Sequence, residues 1–154
     1  MNDAVPDAIP AAIPAGFAPL KRGGPYFSQL GPLYSRRDEF DMVVLGLRVT
    51  EAHTNMIGIT HGGMLVTYAD GALGINLSVA RGLPRSFVTV HLSNDFIDSG
   101  RPGDWLEAHV RIRKMGKRLS FADCELKVGD KTLLRSNGVF ASINPPGEPV
   151  PNDG

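Results

Sequence analysis

The apolar positions of this chain follow two periods, and the change between them marks out its elements. Residues 42–51 carry a nearly continuous apolar run (Val43, Val44, Leu45, Leu47 and Val49) with the length and β-branched content of a strand. Residues 87–97 alternate, with Val88, Val90, Leu92 and Phe96 on one face and Thr89, His91, Ser93 and Asp95 on the other. Residues 105–115 set Leu106, Ala108, Val110 and Ile112 opposite Glu107, His109, Arg111 and Arg113. Residues 118–128 set Ala122, Cys124, Leu126 and Val128 against Asp123, Glu125 and Lys127, and a fifth strand-like run spans residues 132–143. Between the first run and the second, over residues 62–81, the alternation disappears. There Met64, Leu65, Val66, Tyr68, Ala69, Ala72, Leu73, Ile75, Leu77, Val79 and Ala80 fall on every side of a helix. A helix without a polar stripe is buried, and at about 1.5 Å per residue this one is on the order of 30 Å long.

The connections decide how these pieces assemble. Ser99, Gly100, Arg101, Pro102 and Gly103 form a turn, and Gly129 with Asp130 fits a two-residue hairpin loop. Short connections make the last four strands an antiparallel meander whose polar positions line one solvated face. The other face needs a cover, and the helix over residues 62–81 is the element apolar enough to provide it. The pattern predicts an α+β fold, a curved antiparallel β-sheet wrapped around one central α-helix. Residues 26–33 predict a short helix that packs Tyr26, Phe27 and Leu30 onto the core and ends near Gly31 and Pro32. One domain over residues 25–143 follows, between a proline-rich arm at 1–24, extended or mobile, and a proline-rich tail at 144–154.

Composition narrows the function classes. Sixteen basic and sixteen acidic residues in 154 give no net charge, hence no overall electrostatic footprint for nucleic acid. The helix at 62–81 is interrupted by Asp70, Gly71, Gly74 and Asn76, which argues against a membrane span. Met1 is followed by Asn2 and Asp3 rather than a basic segment, so no signal peptide is read, and the single Cys124 excludes an intrachain disulfide. A cytoplasmic protein is the plain expectation. His53, His61, His91 and His109 sit on separate elements without ligand spacing, so no metal is expected.

Candidate chemistry concentrates in residues 51–70, EAHTNMIGITHGGMLVTYAD. The helix opens with Gly62 and Gly63, poor helix formers placed where free N–H groups and the positive end of the dipole collect. Glycine there lets a ligand approach the backbone. Asp70 carries a charge on a helix with no solvated face, so it either meets water in a cleft or performs chemistry. The plainer readings are specific too. Asn55 satisfies its own loop, His61 caps the helix, and His53 is structural. Lys114, Lys117 and Arg118 form a solvated hairpin tip, with Arg81 just past the helix.

In this order, Asn55, Gly58, the His61-Gly62-Gly63 triplet and Asp70 resemble the hotdog-fold acyl-CoA thioesterases of the phenylacetate-pathway (PaaI-like) type. The resemblance runs from about Tyr26 to Ile143 and takes in EAHTN, HGG, VTVHL and MGKRL. It implies hydrolysis of an acyl-CoA thioester without metal or redox cofactor. Asp70 would be general base or nucleophile. Gly62 N–H and the Asn55 side chain would bind the thioester oxygen, Thr89 would orient the water or the carboxylate, and His61 would hold the local geometry. Gly63, at the same helix start, joins the substrate-binding set. Lys114, Lys117, Arg118 and Arg81 are candidates for the CoA phosphates. The family commonly has an acidic residue where His91 stands, and no role is carried to that position.

Eight residues separate Gly62 from Asp70, about 12 Å along one helix, so the two cannot reach the same carbonyl. Pairing of two copies about a two-fold axis with antiparallel helices would bring Asp70 of one to the helix start of the other. A homodimer with shared sites, assembled further into a tetramer in some relatives, is what the resemblance also implies. Two other readings stay open: a protein that binds acyl-CoA or an acyl carrier without turnover, and a hotdog hydratase or dehydratase.

Overall fold

The computed structural model of the chain describes residues 12–82 and 87–143. Residues 1–11 of the proline-rich arm, all of the tail and the link 83–86 after the helix lie outside these residues. The elements in chain order are β1 (Ala18–Pro19), α1 (Gly24–Phe27) running into a 3-10 turn (Ser28–Leu30), β2 (Tyr34–Arg37) and β3 (Val43–Arg48). A second 3-10 turn (Glu51–His53) precedes α2 (Gly62–Arg81), and β4 (Phe87–Phe96), β5 (Trp105–Met115), β6 (Leu119–Val128) and β7 (Lys131–Ser142) follow. The strands form one antiparallel sheet in the order β1-β2-β3-β5-β6-β7-β4. The helix α2 lies across β3 to β7, so this is the expected sheet wrapped around one long helix, the hotdog architecture.

The core sits between α2 and the sheet. Leu65, Ala69, Leu73 and Leu77 of the helix pack among Leu45, Leu47, Leu106, Val110, Leu126 and Leu134, all essentially inaccessible to water. Burying a leucine side chain of this kind contributes roughly 1.5–3 kcal/mol. Two of the polar side chains buried with them are tied to the backbone. Tyr68 Oη donates to the carbonyl of Leu106 at 3.1 Å. Asn76 Oδ1 accepts from Val43 N–H at 2.8 Å while its Nδ2 donates to the carbonyls of Val43 and Ala72. An amide in the middle of an apolar helix thus ties α2 to β3.

Several local expectations change. Phe17 and the pair Ala18–Pro19, at the end of the proline-spaced segment, pack on the sheet: Phe17 stands edge-on to Trp105 with ring centroids 5.1 Å apart, and Ala18 pairs with Ser35. The strand that accepts them, β2, is short and polar (Tyr-Ser-Arg-Arg) and carries no apolar alternation to reveal it. In the short helix Phe27 alone is buried, and Tyr26 is 71% exposed. Phe27 lies where a Cβ on Gly71 would stand 2.1 Å from its ring, so the absent side chain at Gly71 is the seat of α1.

The largest change is in β4. Its register against β7 shifts between Thr89 and His91, leaving Val90 as an extra, bulged residue. Simple alternation groups Thr89 with His91 and Val88 with Leu92. With the bulge, Thr89 lies opposite the buried Phe140 and Leu92 opposite Gly138, both toward the helix. Val88 and Val90 are left 50% and 58% exposed.

Candidate active site

The loop before α2 is closed by its own polar groups. Thr54 and Thr60 form an isolated bridge, and Asn55 N–H donates to the carbonyl of Ile59 at 2.8 Å. Asn55 Oδ1 accepts from the N–H groups of Ile57 (3.1 Å) and Ile59 (3.3 Å). Its Nδ2 has no hydrogen-bond partner among the described residues, so a donor remains for a ligand. The chain reverses at Gly58, whose φ of 78° lies in the left-handed region, and Met56 and Ile57 project into solvent at the tip.

His61 occupies the N-cap of α2. Its Nδ1 accepts from Gly63 N–H at 2.9 Å, which places the ring proton of the neutral imidazole on Nε2. The His61 carbonyl takes Leu65 N–H, and its own N–H donates to the carbonyl of His53. Among the described residues the N–H groups of Gly62 and Met64 have no partner, so the helix start keeps unsatisfied donors. Phe96 lies over Gly62: a Cβ there would come within 3.1 Å of its ring. His53 is buried and fully engaged, its Nδ1 accepting from Thr50 N–H at 2.9 Å and its Nε2 donating to the carbonyl of Leu30 at 2.6 Å. Leu30, His53, His61, Gly63, Met64 and Thr67 line a cleft of about 510 Å³ at this end of the helix.

Asp70 stands at a different opening. It is half-buried, and Thr89 Oγ1 donates to its Oδ1 at 2.6 Å. The bulge at Val90 is what turns Thr89 toward the helix while the strand beyond it continues to cover the core. The pair opens on a cleft of about 440 Å³ bordered by Gly71, Gly74, Ile75, Phe87 and Phe140. Phe87 lies at this cleft, whereas Tyr68 belongs to the core. The structure therefore brings Asp70 to Thr89, and His61 to Gly62 and Gly63, but places the two groups about 12 Å apart along one helix.

The basic residues divide. Arg81 Nη2 donates to the carbonyl of Gly116 at 2.6 Å, and its guanidinium lies 5.0 Å from the ring centre of Phe87. It fastens the end of α2 to the turn between β5 and β6. Gly116 is obligatory in that turn, because a Cβ would meet the carbonyl oxygen of Leu119 at 2.2 Å. Lys114, Lys117 and Arg118 are exposed around the same turn. His91 is exposed on β4, and Cys124 is buried, its thiol pushed far up by desolvation and by the neighbouring Glu125. Among the described residues no three His, Cys, Asp or Glu side chains converge as metal ligands, and no helix is long and apolar enough to cross a membrane.

The site also has an unfinished border. Among the described residues β4 ends the sheet, paired on one side with β7, and along it Val88, Val90, Phe96 and Ile97 are at least half exposed. An open strand edge with apolar side chains is a surface that natural proteins cover or pair.

Comparison with known proteins gives the family and agrees with the fold. A sequence profile described as the thioesterase superfamily matches residues 57–134. The protein PA0474 of Pseudomonas aeruginosa, whose name places it provisionally among esterases, is 42% identical over 125 residues, covering 81% of this chain and 93% of its own. Human acyl-coenzyme A thioesterase 13 is 31% identical over 85 residues, covering 54% of this chain and 59% of the human protein. Among solved structures, the PaaI protein from the phenylacetic acid degradation operon of Escherichia coli superposes with a TM-score of 0.59 at 29% identity, over 64% of this chain and 74% of its own. The chain belongs to the thioesterase superfamily.

Proposed function

We propose that this chain is an acyl-CoA thioesterase whose sites are shared between two copies, each formed by Asp70 and Thr89 of one subunit and the start of α2 in the other. Thioester hydrolysis is the chemistry of the superfamily, and the acyl-CoA substrate is supported by the likeness to acyl-coenzyme A thioesterase 13. The observation that carries the mechanism is the division of labour along α2: an N–H at Gly62 without a partner among the described residues, and a carboxylate with one oxygen held by Thr89 a further eight residues along.

In this reading Gly62 N–H and Asn55 Nδ2 receive the thioester oxygen, which gains charge as the tetrahedral intermediate forms. Removing one such donor typically lowers kcat about a hundred- to a thousandfold. Thr89 holds Oδ1 of Asp70, leaving Oδ2 to take a proton from water, so we favour the general-base role over the nucleophile. The water oxygen bonds to the carbonyl carbon and the oxyanion forms. The C–S bond then breaks, and the departing thiolate takes up the proton from Asp70, giving free acid and CoA. Lys114, Lys117 and Arg118 are suited to the CoA phosphates. The exposed edge of β4, with Val88, Val90 and Phe96, is the surface proposed for pairing the copies, as a dimer or within a tetramer. A cytoplasmic setting goes with this reading, supported by the single free Cys124.

A hydratase reading is disfavoured because it needs an acid and a base in one pocket, and His61, the nearest histidine in sequence, is occupied as a helix cap. The test is release of free thiol from a panel of short, medium, long-chain and aryl acyl-CoAs by wild type and Asp70→Asn. The proposal expects turnover that falls at least about a hundredfold in the folded variant. Binding of the same acyl-CoAs without thiol release would make this a binding protein.

A further inference from the structure

Gly74 lies four residues beyond Asp70 in α2, on the same face of the helix. A glycine in mid-helix is disfavoured relative to alanine, so its presence there calls for another reason. Gly71 has one in packing, since a Cβ would be driven into the Phe27 ring at 2.1 Å. Gly74 shows none among the described residues: a Cβ there would meet only Phe140 of them, at 3.8 Å, an ordinary van der Waals contact. What Gly74 borders is the cleft of about 440 Å³ that starts at Asp70 and Thr89 and continues past Ile75, Phe87 and Phe140. That volume falls within the range of small-molecule pockets; Ile75, Phe87 and Phe140 give it apolar walls, and Asp70, Thr89, Arg22 and Ser78 are its polar lining.

From this juxtaposition we infer that the cleft beside Asp70 is the acyl subsite, and that the missing side chain at Gly74 sets the largest acyl group it accepts. A carbonyl carbon attacked by water held on Asp70 lies one water away from that carboxylate, so the group attached to it extends along the neighbouring walls. Gly74 is about 6 Å further along the helix axis than Asp70, the span of roughly a five-carbon chain or a benzene ring. A smaller acyl group ends before it reaches Gly74, and a larger one must pass over it. The inference takes the position of the carbonyl from the hydrolase reading, and the cleft itself from the structure alone.

The experiment is Gly74→Ala. The ratio of kcat/KM for hexanoyl-CoA and benzoyl-CoA to that for acetyl-CoA is expected to fall at least about tenfold, since one methyl group in an apolar pocket is worth that much or more. The same variant is expected to melt about 2–4 °C higher, because an alanine that fits improves the helix. An unchanged ratio would overturn the inference, as would a lower melting temperature or a changed oligomeric state, which would mean that packing or assembly requires Gly74. Failure of the hydrolase reading appears separately, as a wild type that releases no thiol. In that event S-hexyl-CoA and S-ethyl-CoA, thioethers that cannot be hydrolysed, carry the test: a tenfold relative loss of affinity for the longer one in Gly74→Ala supports the subsite, and no relative loss removes it.

Discussion

Thr89 donates its hydroxyl proton to Asp70 Oδ1 over 2.6 Å, joining an edge strand to the middle of the central helix across nineteen positions of sequence. The contact depends on the bulge at Val90, which lets Thr89 and Leu92 face the same helix. It fixes one carboxylate oxygen, and among the described residues the other has no hydrogen-bond partner, so the orientation of Asp70 depends on a hydroxyl at position 89.

Thr89→Val keeps the shape of the side chain and removes the donor. A hydrogen bond to a charged group is worth about 1.5–3 kcal/mol, so kcat should fall about ten- to a hundredfold, with Thr89→Ser recovering most of it. Steady-state kinetics on the three proteins decide the matter. Equal kcat in the valine variant would show that the bond does not serve the reaction.

His61 is read as a helix cap rather than a proton carrier, and the two roles separate by substitution. His61→Ala should lower stability by about 0.5–2 kcal/mol through loss of the acceptor for Gly63 N–H, while His61→Asn, a good N-cap, should restore it. Chemical denaturation measures the first effect and thiol release the second. Activity returning with asparagine supports the cap. Activity lost in both variants despite restored stability would assign the imidazole a proton-transfer role.

The residues that resisted reading share a physical cause: their partners are far away in sequence. Residues 62–81 stand out as a helix because apolar side chains on all its faces leave no other arrangement, and β5 runs over the same residues in sequence pattern and in structure. The bulge at Val90 was not legible, since it is set by register against Val139 and Phe140 in β7. The apolar residues Val88 and Val90 therefore read as core although they line an open edge. Arg81 read as a free cation because its acceptor, the Gly116 carbonyl, is thirty-five positions away. Conversely, His61 and Asn55 could be read as local organisers because their partners lie within four residues.

Asp38 gives the fold an acid-sensitive contact on the outer side of the sheet. Burial pushes its carboxyl group up, but the N–H groups of Met42 and Phe40 and the Arg111 guanidinium outweigh it and hold the group below its ordinary value of 3.8. A carboxylate lowered in this way contributes stability that is present above the unfolded value and lost as pH falls through the folded one. Asp38→Asn should therefore melt lower than wild type at pH 7, with the gap narrowing as pH falls below 3.8. A gap independent of pH would show that the charge is irrelevant and that only the turn geometry matters.

Complementation between subunits tests the shared site most directly. Asp70→Asn removes the base. Asn55→Asp keeps the Oδ1 that closes the loop through Ile57 and Ile59 and replaces the Nδ2 donor with charge that repels an oxyanion. Each variant alone should be nearly inactive. After subunit exchange in equal amounts, half of the dimers are hybrid and each hybrid has one wild-type site, so about a quarter of wild-type thiol release should return. No recovery, with exchange proven by mass or fluorescence, would contradict a site built from Asp70 of one copy and the helix start of another.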